Sequence, residues 1–333
     1  MSRTAEDGKK AGPVRYGRAF GLELSVGFPL PGLPPLLPRP GCSPVRLIRA
    51  QRRELINDWP PDRDLLTDRR RPDGAALFRL EFHPALGHRM TAAGWGCYVV
   101  APPGLLVRCA PVRAAAWRWQ RFLVGQVLPF VSLIHGFEGF HASAVTAGDK
   151  TVAFTGRSGA GKSTIATSMV LRGWRLVTDD VLTVDIAGDG GVRVHPGMDL
   201  MSIRHGPAKA FGRALERLGP VIGTDEEAVR VVVPTAKGPR RLSSLYIVEP
   251  AEGGQPRIEP MRPVDPRLLL AATFNLVVRS PDRLTRQLDI CSLISRAVAV
   301  YRLVIPSRAR PSLLAELVTE HALGPAGVSR GSS

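Results

Sequence analysis

Long apolar runs are missing from this chain. The longest candidate, Phe122 to Ile134, has 13 residues and carries Gln126 and Pro129, whereas a helix that crosses a bilayer needs about 20 apolar residues. The first residues are polar and charged (Glu6, Asp7, Lys9, Lys10) and hold no apolar core of a signal peptide. The expectation is a soluble cytoplasmic protein with no membrane partner. Cysteine is scarce as well. The four present, Cys42, Cys97, Cys109 and Cys291, are scattered, and no pair has the spacing of a zinc knuckle or a redox motif. They read as buried free thiols in a reducing compartment. Lysine is rarer than the net charge of +16 suggests: among 45 basic residues the only lysines are Lys9, Lys10, Lys150, Lys162, Lys209 and Lys237. The arginines are dispersed along the whole chain. Their densest cluster, Arg69 to Arg71, is short and lacks interleaved aromatics. Nucleic acid is therefore not an expected partner, while a basic surface favours an acidic one.

What is present is a globular composition, 44% apolar and 22% charged over 333 residues, enough for one large domain or two ordinary ones. Residues 1–13 and 324–333 read as loose tails. A β-rich N-terminal domain follows from 14 to 135. Its strands are Ala19 to Val26, Val45 to Arg49, Ala76 to Phe82, Cys97 to Ala101 and Leu105 to Cys109, separated by Pro and Gly. It ends in a helix, Ala114 to Ile134, kinked or divided by Pro129. From 136 to 323 the pattern changes to a second domain. Thr151 to Thr155 is a short strand, Lys162 to Arg172 a helix stopped by Gly173, Arg175 to Thr178 a second strand, and Val181 to Ile186 stays extended. Strand, loop, helix and strand in that order suit a nucleotide-binding α/β core. Further on, Ser244 to Val248 and Arg257 to Glu259 read as paired strands. Pro266 to Phe274 and Pro281 to Val300 read as helices, Arg302 to Ile305 as a late strand, and Pro311 to Leu323 as a closing helix.

The segment Gly156-Arg157-Ser158-Gly159-Ala160-Gly161-Lys162-Ser163-Thr164 matches the pattern GxxxxGK[ST] at every fixed position. Glycines let the backbone curl so that successive N–H groups face phosphate oxygens. A helix starting at Lys162 adds the positive end of its dipole. Lys162 is placed to neutralise the β- and γ-phosphates, and the Ser163 hydroxyl to complete a magnesium shell. ATP and Mg2+ are the expected cofactors. With 34 glycines in the chain a chance match has to be weighed; the strand leading in and the helix leading out argue against it.

Asp179 and Asp180 close the strand after that helix, where a magnesium-binding or water-ordering carboxylate belongs. Adjacent residues of a strand point to opposite sides, so only one of them faces the phosphates directly. The plain alternative is a pair of aspartates capping a turn. His141 lies upstream, at the mouth of Ala142 to Val145. A lone histidine is more often structural than catalytic.

Three blocks resemble the HPr kinase/phosphorylase family. His141 lies 21 positions before Lys162, much as the family's histidine precedes its loop lysine. Gly156 to Ser163 fits the family's GxSGxGKS form. The tract Leu171-Arg-Gly-Trp-Arg-Leu-Val-Thr-Asp-Asp180 is similar to RGHRLxADD. The likeness covers about His141 to Asp180 and weakens toward Gly206. It implies a P-loop core of the phosphoenolpyruvate-carboxykinase-like kind, α/β within an α+β whole, and transfer to a serine hydroxyl. In that chemistry Asp180 accepts the hydroxyl proton, His141 sits beside the γ-phosphate, and Lys162 holds charge in the transition state. Relatives assemble through the P-loop domain, so the resemblance admits a homo-oligomer. The family's EIRGLG block has no counterpart glutamate here; the nearest tract is Val194-His-Pro-Gly-Met-Asp199, with Asp199 as its carboxylate. Reverse phosphorolysis is therefore not implied. Phe20-Gly-Leu-Glu-Leu, Phe28-Pro-Leu-Pro-Gly-Leu and His141-Ala-Ser-Ala-Val look like a divergent branch encoded with peptide natural-product pathways. Some of that branch, the lasso-peptide kinases, phosphorylate a serine of a precursor peptide.

Three functions follow as expectations. The first is an ATP- and Mg-dependent serine kinase acting on a peptide or small protein. The second is a kinase of a small-molecule hydroxyl on the same core. The third is a nucleotide sensor without catalysis.

Overall fold

A computed structural model describes residues 13–38, 41–57, 59–113, 115–274, 277–307 and 309–324. Most of the two expected tails lies outside them. The chain divides into two compact units. The first holds the described residues up to Gly17, then Glu23–Leu30 and Pro35–Arg113; the second holds Arg18–Leu22, Pro31–Pro34 and the chain from 115 onward. The helical segment expected at the end of the N-terminal domain thus belongs to the second unit.

The first unit is built on an eight-stranded sheet. Its strands are β1 (Arg15–Ala19), β2 (Leu22–Val26), β3 (Val45–Arg49), β4 (Asp64–Arg70), β5 (Ala76–His83), β6 (Gly87–Ala92), β7 (Gly96–Ala101) and β8 (Leu106–Pro111). They lie in the order β1-β2-β3-β8-β7-β6-β5-β4. The expected single strand Ala19 to Val26 is instead parts of two, because Phe20 and Gly21 turn the chain at φ 54° and 78°. Helix α1 (Arg52–Asn57) sets Leu55 against Cys97, Val99 and Ala110. Glu81 is fully buried on β5, and Arg89 and Arg63 each hold it at 2.6 Å. Of the four cysteines, Cys97, Cys109 and Cys291 are buried thiols, but Cys42 is exposed.

The second unit opens on a helix broken by one wide turn: α2 (Ala116–Phe122), a π-helical turn (Leu123–Val127) and α3 (Leu128–Ile134). Pro129 neither divides nor ends it. Proline donates no N–H and crowds the carbonyl four residues back, and the widened turn absorbs this: the Leu128 N–H bonds to the Leu123 carbonyl, five residues back.

Next come β9 (Glu138–Ala147), β10 (Lys150–Thr155), α4 (Lys162–Leu171), β11 (Arg175–Thr178), β12 (Val181–Ile186), β13 (Val192–His195) and β14 (Leu200–Arg204). After α5 (His205–Phe211) the chain forms β15 (Val221–Thr224), β16 (Ala228–Val232), β17 (Arg240–Arg241), β18 (Ser244–Ala251) and β19 (Arg257–Pro260). It closes with α6 (Pro266–Ala271), α7 (Pro281–Ala297), β20 (Ala299–Pro306) and α8 (Pro311–Leu323). The main sheet runs β17-β13-β12-β9-β10-β18-β20-β19, with β11 also paired to β9. β10, β18 and β20 are parallel neighbours. The expected pairing of Ser244–Val248 with Arg257–Glu259 is therefore corrected: β20 lies between them, parallel to β18 and antiparallel to β19. The expected helix from Pro281 to Val300 stops at Ala297 because β20 starts at Ala299.

Strand alternation divides the sheet into two faces. Val145, Phe154, Leu176, Tyr246 and Leu303 face one side and pack on α4 (Ile165, Ala166, Met169) and α8 (Leu314, Ala315, Val318). Ala144, Ala153, Val177, Ile247 and Val300 face the other and pack on α6 (Leu269) and α7 (Ile290, Ile294). The second unit is thus mixed α/β with helices on both faces of its sheet. A separate three-stranded sheet, β14-β16-β15, turns Met201, Ile203 and Val231 into the α4 side of the core. Among the described residues, no helix is long and apolar enough to cross a membrane.

Candidate functional site

The site is built where β10 hands over to α4. The loop between them depends on glycine. Gly156 has φ 140°, and a Cβ there would lie 2.6 Å from the Val248 carbonyl oxygen of β18. Gly159 (φ 83°) and Gly161 (φ 101°) are also left-handed, and Gly161 caps α4 in that conformation. Arg157 and Ser158 are exposed, Ala160 is buried, and Thr164 is half-buried in the first turn of α4. The Ala160 N–H bonds to the Arg157 carbonyl at 3.1 Å. Lys162 folds back over the loop, its Nζ donating to the carbonyls of Gly156 (2.9 Å) and Arg157 (3.1 Å). Burial pushes the Lys162 ammonium below its ordinary value, while Asp180 and Asp179 pull it back up.

Asp179 and Asp180 do not lie on a strand, as the sequence suggested, but in a two-residue bend between β11 and β12, which both pair antiparallel with β9. Asp180 is exposed and left-handed, at φ 73°, a conformation that non-glycine residues seldom take and that clusters at functional sites. Asp179 points inward. It accepts from the Ser143 hydroxyl (2.7 Å) and from the Ser202 N–H (3.0 Å). Ser143 Oγ lies 3.4 Å from Ser163 Oγ. Burial raises the Asp179 carboxyl above its ordinary value, against the hydrogen bonds from Ser202, Ser163 and Ser143 that favour the ionised form. A serine hydroxyl and a carboxylate bridged by a second hydroxyl are hard oxygen donors, which suit magnesium held by one or two protein ligands and phosphate oxygens.

His141 lies inside β9, not at the mouth of a shorter strand. It is exposed, paired with Val181, and its ring meets the edge of Phe274 at 5.4 Å. Alternation puts it on the same face of β9 as Ser143, and the next residue, Ala142, bonds to the Asp180 carbonyl at 3.2 Å. The structure therefore brings the loop, Lys162, Ser163, Asp179 and Asp180 to one place, with His141 on the neighbouring strand. Asp199 does not join them. Its carboxylate accepts from the backbone (2.6 Å) and hydroxyl (2.7 Å) of Thr235.

Two further residues belong to this arrangement. Ser143 carries no signal beyond its place two residues after His141. Arg204, at the end of β14, is exposed and donates to Ser158 Oγ at 3.4 Å, adding a cation over the loop. Together these groups form a surface that can hold a polyphosphate and place a carboxylate beside its end.

No family model matches the chain, and no curated protein sequence matches it. Among solved structures the chain is similar to the Hpr(Ser) kinase/phosphatase from Coxiella burnetii, at 18% identity and a TM-score of 0.30, over 57% of this chain and 99% of that one.

Proposed function

We propose that this protein is a phosphotransferase that moves the γ-phosphoryl group of ATP to a hydroxyl, with a serine of a peptide or small protein as acceptor. One observation carries the reading: Lys162, Ser163, Asp179 and Asp180 gather at the loop after β10, and Asp180 is presented to solvent in a strained left-handed turn. In such reactions positioning and electrostatics supply nearly all the catalysis.

The glycine loop and the start of α4 offer backbone N–H groups and a helix N-terminus to the phosphates. Lys162 and Arg204 add positive charge there. Ser163 and Asp179 would hold magnesium, which when bound neutralises phosphate charge. Asp180 takes the proton of the acceptor hydroxyl as the new O–P bond forms and the bond to the β,γ-bridging oxygen breaks, releasing ADP. His141 lies on the strand beside this turn and polarises or orients the reacting groups. The excess of basic residues suits an acidic peptide. Incubation with γ-labelled ATP and serine peptides tests the reading, with mass spectrometry for the gain of one phosphate. Nucleotide binding without transfer to any hydroxyl overturns it in favour of a sensor. Label on free hydroxy compounds but not on peptides keeps the chemistry and replaces the acceptor.

A further inference from the structure

The wide helical turn at Leu123–Val127 brings a residue of no size next to Asp180. A Cβ on Gly125 would stand 4.0 Å from Asp180 Oδ2, and among the described residues no other atom outside its own helix comes within that range. Packing therefore does not require glycine at 125, since 4.0 Å is ordinary contact. Its φ is not among the positive values either, so backbone conformation does not require it. Glycine inside a helix is destabilising relative to alanine. Its presence leaves open space beside the exposed carboxylate.

The same helix continues this boundary away from Asp180. One turn earlier, Arg121 pairs with Asp225 at 2.9 Å and with Glu227 at 2.8 Å. One turn earlier again, the Trp117 ring lies under the Arg230 guanidinium at 5.4 Å and against Gly223. These contacts fix the face 117–121–125 along the β15–β16 hairpin and aim its bare end at Asp180. A Cβ on Gly125 would have Asp180 Oδ2 within 4 Å but no atom of the loop or of Lys162, and Lys162 folds over the loop onto the Gly156 and Arg157 carbonyls.

We propose that this helix face is the acceptor-side wall of the site, and that Gly125 is the residue that sets how large a hydroxyl acceptor reaches Asp180. The inference rests on the phosphotransferase reading. It assigns Gly125 to acceptor selection and not to nucleotide binding.

The test is the partition of phosphoryl transfer between water and alcohols. The parent protein is given ATP and magnesium in water containing methanol, ethylene glycol or N-acetylserinamide, and inorganic phosphate and phosphate esters are counted separately. Gly125→Ala, Gly125→Val and Gly125→Leu are compared with it, with affinity for a fluorescent ATP analogue as the check on folding. The expected result is unchanged nucleotide affinity and unchanged phosphate release to water. Ester formation falls by at least about tenfold in the leucine variant, the scale at which pocket walls reject extra carbon atoms. The loss is steepest for N-acetylserinamide, and alanine, which is a good helix former, is intermediate. Water and alcohol products falling together, esters unchanged in the leucine variant, or no ester from any alcohol in the parent overturns the wall. A parent that binds ATP and turns none of it over sinks the phosphotransferase reading itself, and the wall with it.

Discussion

Ser143 donates its hydroxyl to Asp179 over 2.7 Å, although 36 residues separate them in the chain. The bond ties β9 to the β11–β12 turn. Its donor is fully buried and lies 3.4 Å from the Ser163 hydroxyl. Asp179 thus meets Ser163 in a geometry set from a third element. Removing the Ser143 hydroxyl frees the carboxylate to turn. In the proposed site Ser163 and Asp179 hold magnesium, and groups that orient metal ligands change affinity or activity by about 10–100-fold when lost. Ser143→Ala is expected to raise the magnesium concentration needed for half-maximal turnover by that order, with ATP affinity in the absence of metal unchanged. A magnesium titration of the parent and the variant checks this; superimposable curves contradict it.

Glu138 begins the strand that carries His141 and Ser143, and it is paired in the interior. Arg283 of α7 holds it at 2.8 Å, with the two side chains 4% and 0% exposed. Arg283 also donates to the Phe274 and Val278 carbonyls, each at 2.8 Å. Cutting one partner leaves an uncompensated buried charge. Arg283→Met is expected to lower unfolding free energy by about 3–5 kcal/mol. Replacing both residues by apolar ones costs less than the sum of the single changes. Urea unfolding of the three variants measures the difference, and a loss within error of zero for Arg283→Met contradicts the assignment.

Three histidines give the fold an acid-sensitive component. Burial lowers the values of His88, His195 and His321, and takes His88 to about 4. The unfolded histidines titrate near the ordinary 6.5 and bind more protons than the native ones below it. Their contribution is complete above about 6.5 and is lost as pH falls toward about 4. Asp179, raised by burial, works in the opposite sense nearer the carboxylate range. Urea midpoints are expected to decline from pH 7 to pH 5, and the decline to shrink in His88→Gln. Midpoints that hold steady or rise across that window contradict it.

Much of the second unit is legible locally. The loop, α4, β11 and α8 follow from glycine spacing, stop signals and apolar periodicity, and their bounds lie within a residue or two of the expected ones. The π-helical turn is not legible, because Pro129 marks a disturbance without saying whether the helix breaks or widens. Ser143 and Arg204 escape for a related reason. Their meaning lies in contacts with Asp179 and Ser158, 36 and 46 residues away, and sequence spacing carries no trace of them. The expected β18–β19 pairing does not form because strands adjacent in sequence need not be adjacent in the sheet: β20 comes later in the chain and inserts between them. The left-handed Asp180 is likewise a tertiary effect, since nothing in the dipeptide Asp179-Asp180 distinguishes a strand end from a turn.

The proposed transfer depends on the Asp180 carboxylate, and Asp180→Asn removes it. Asparagine keeps the shape and tolerates the left-handed backbone at φ 73°, so the backbone is retained while the carboxylate is removed. The measurement is label transfer from γ-labelled ATP to an acceptor hydroxyl, alongside ATP affinity. The expected result is parental affinity with transfer reduced by at least about 100-fold, the lower range for loss of a general base. A variant that binds ATP and transfers phosphate at the parental rate contradicts the account.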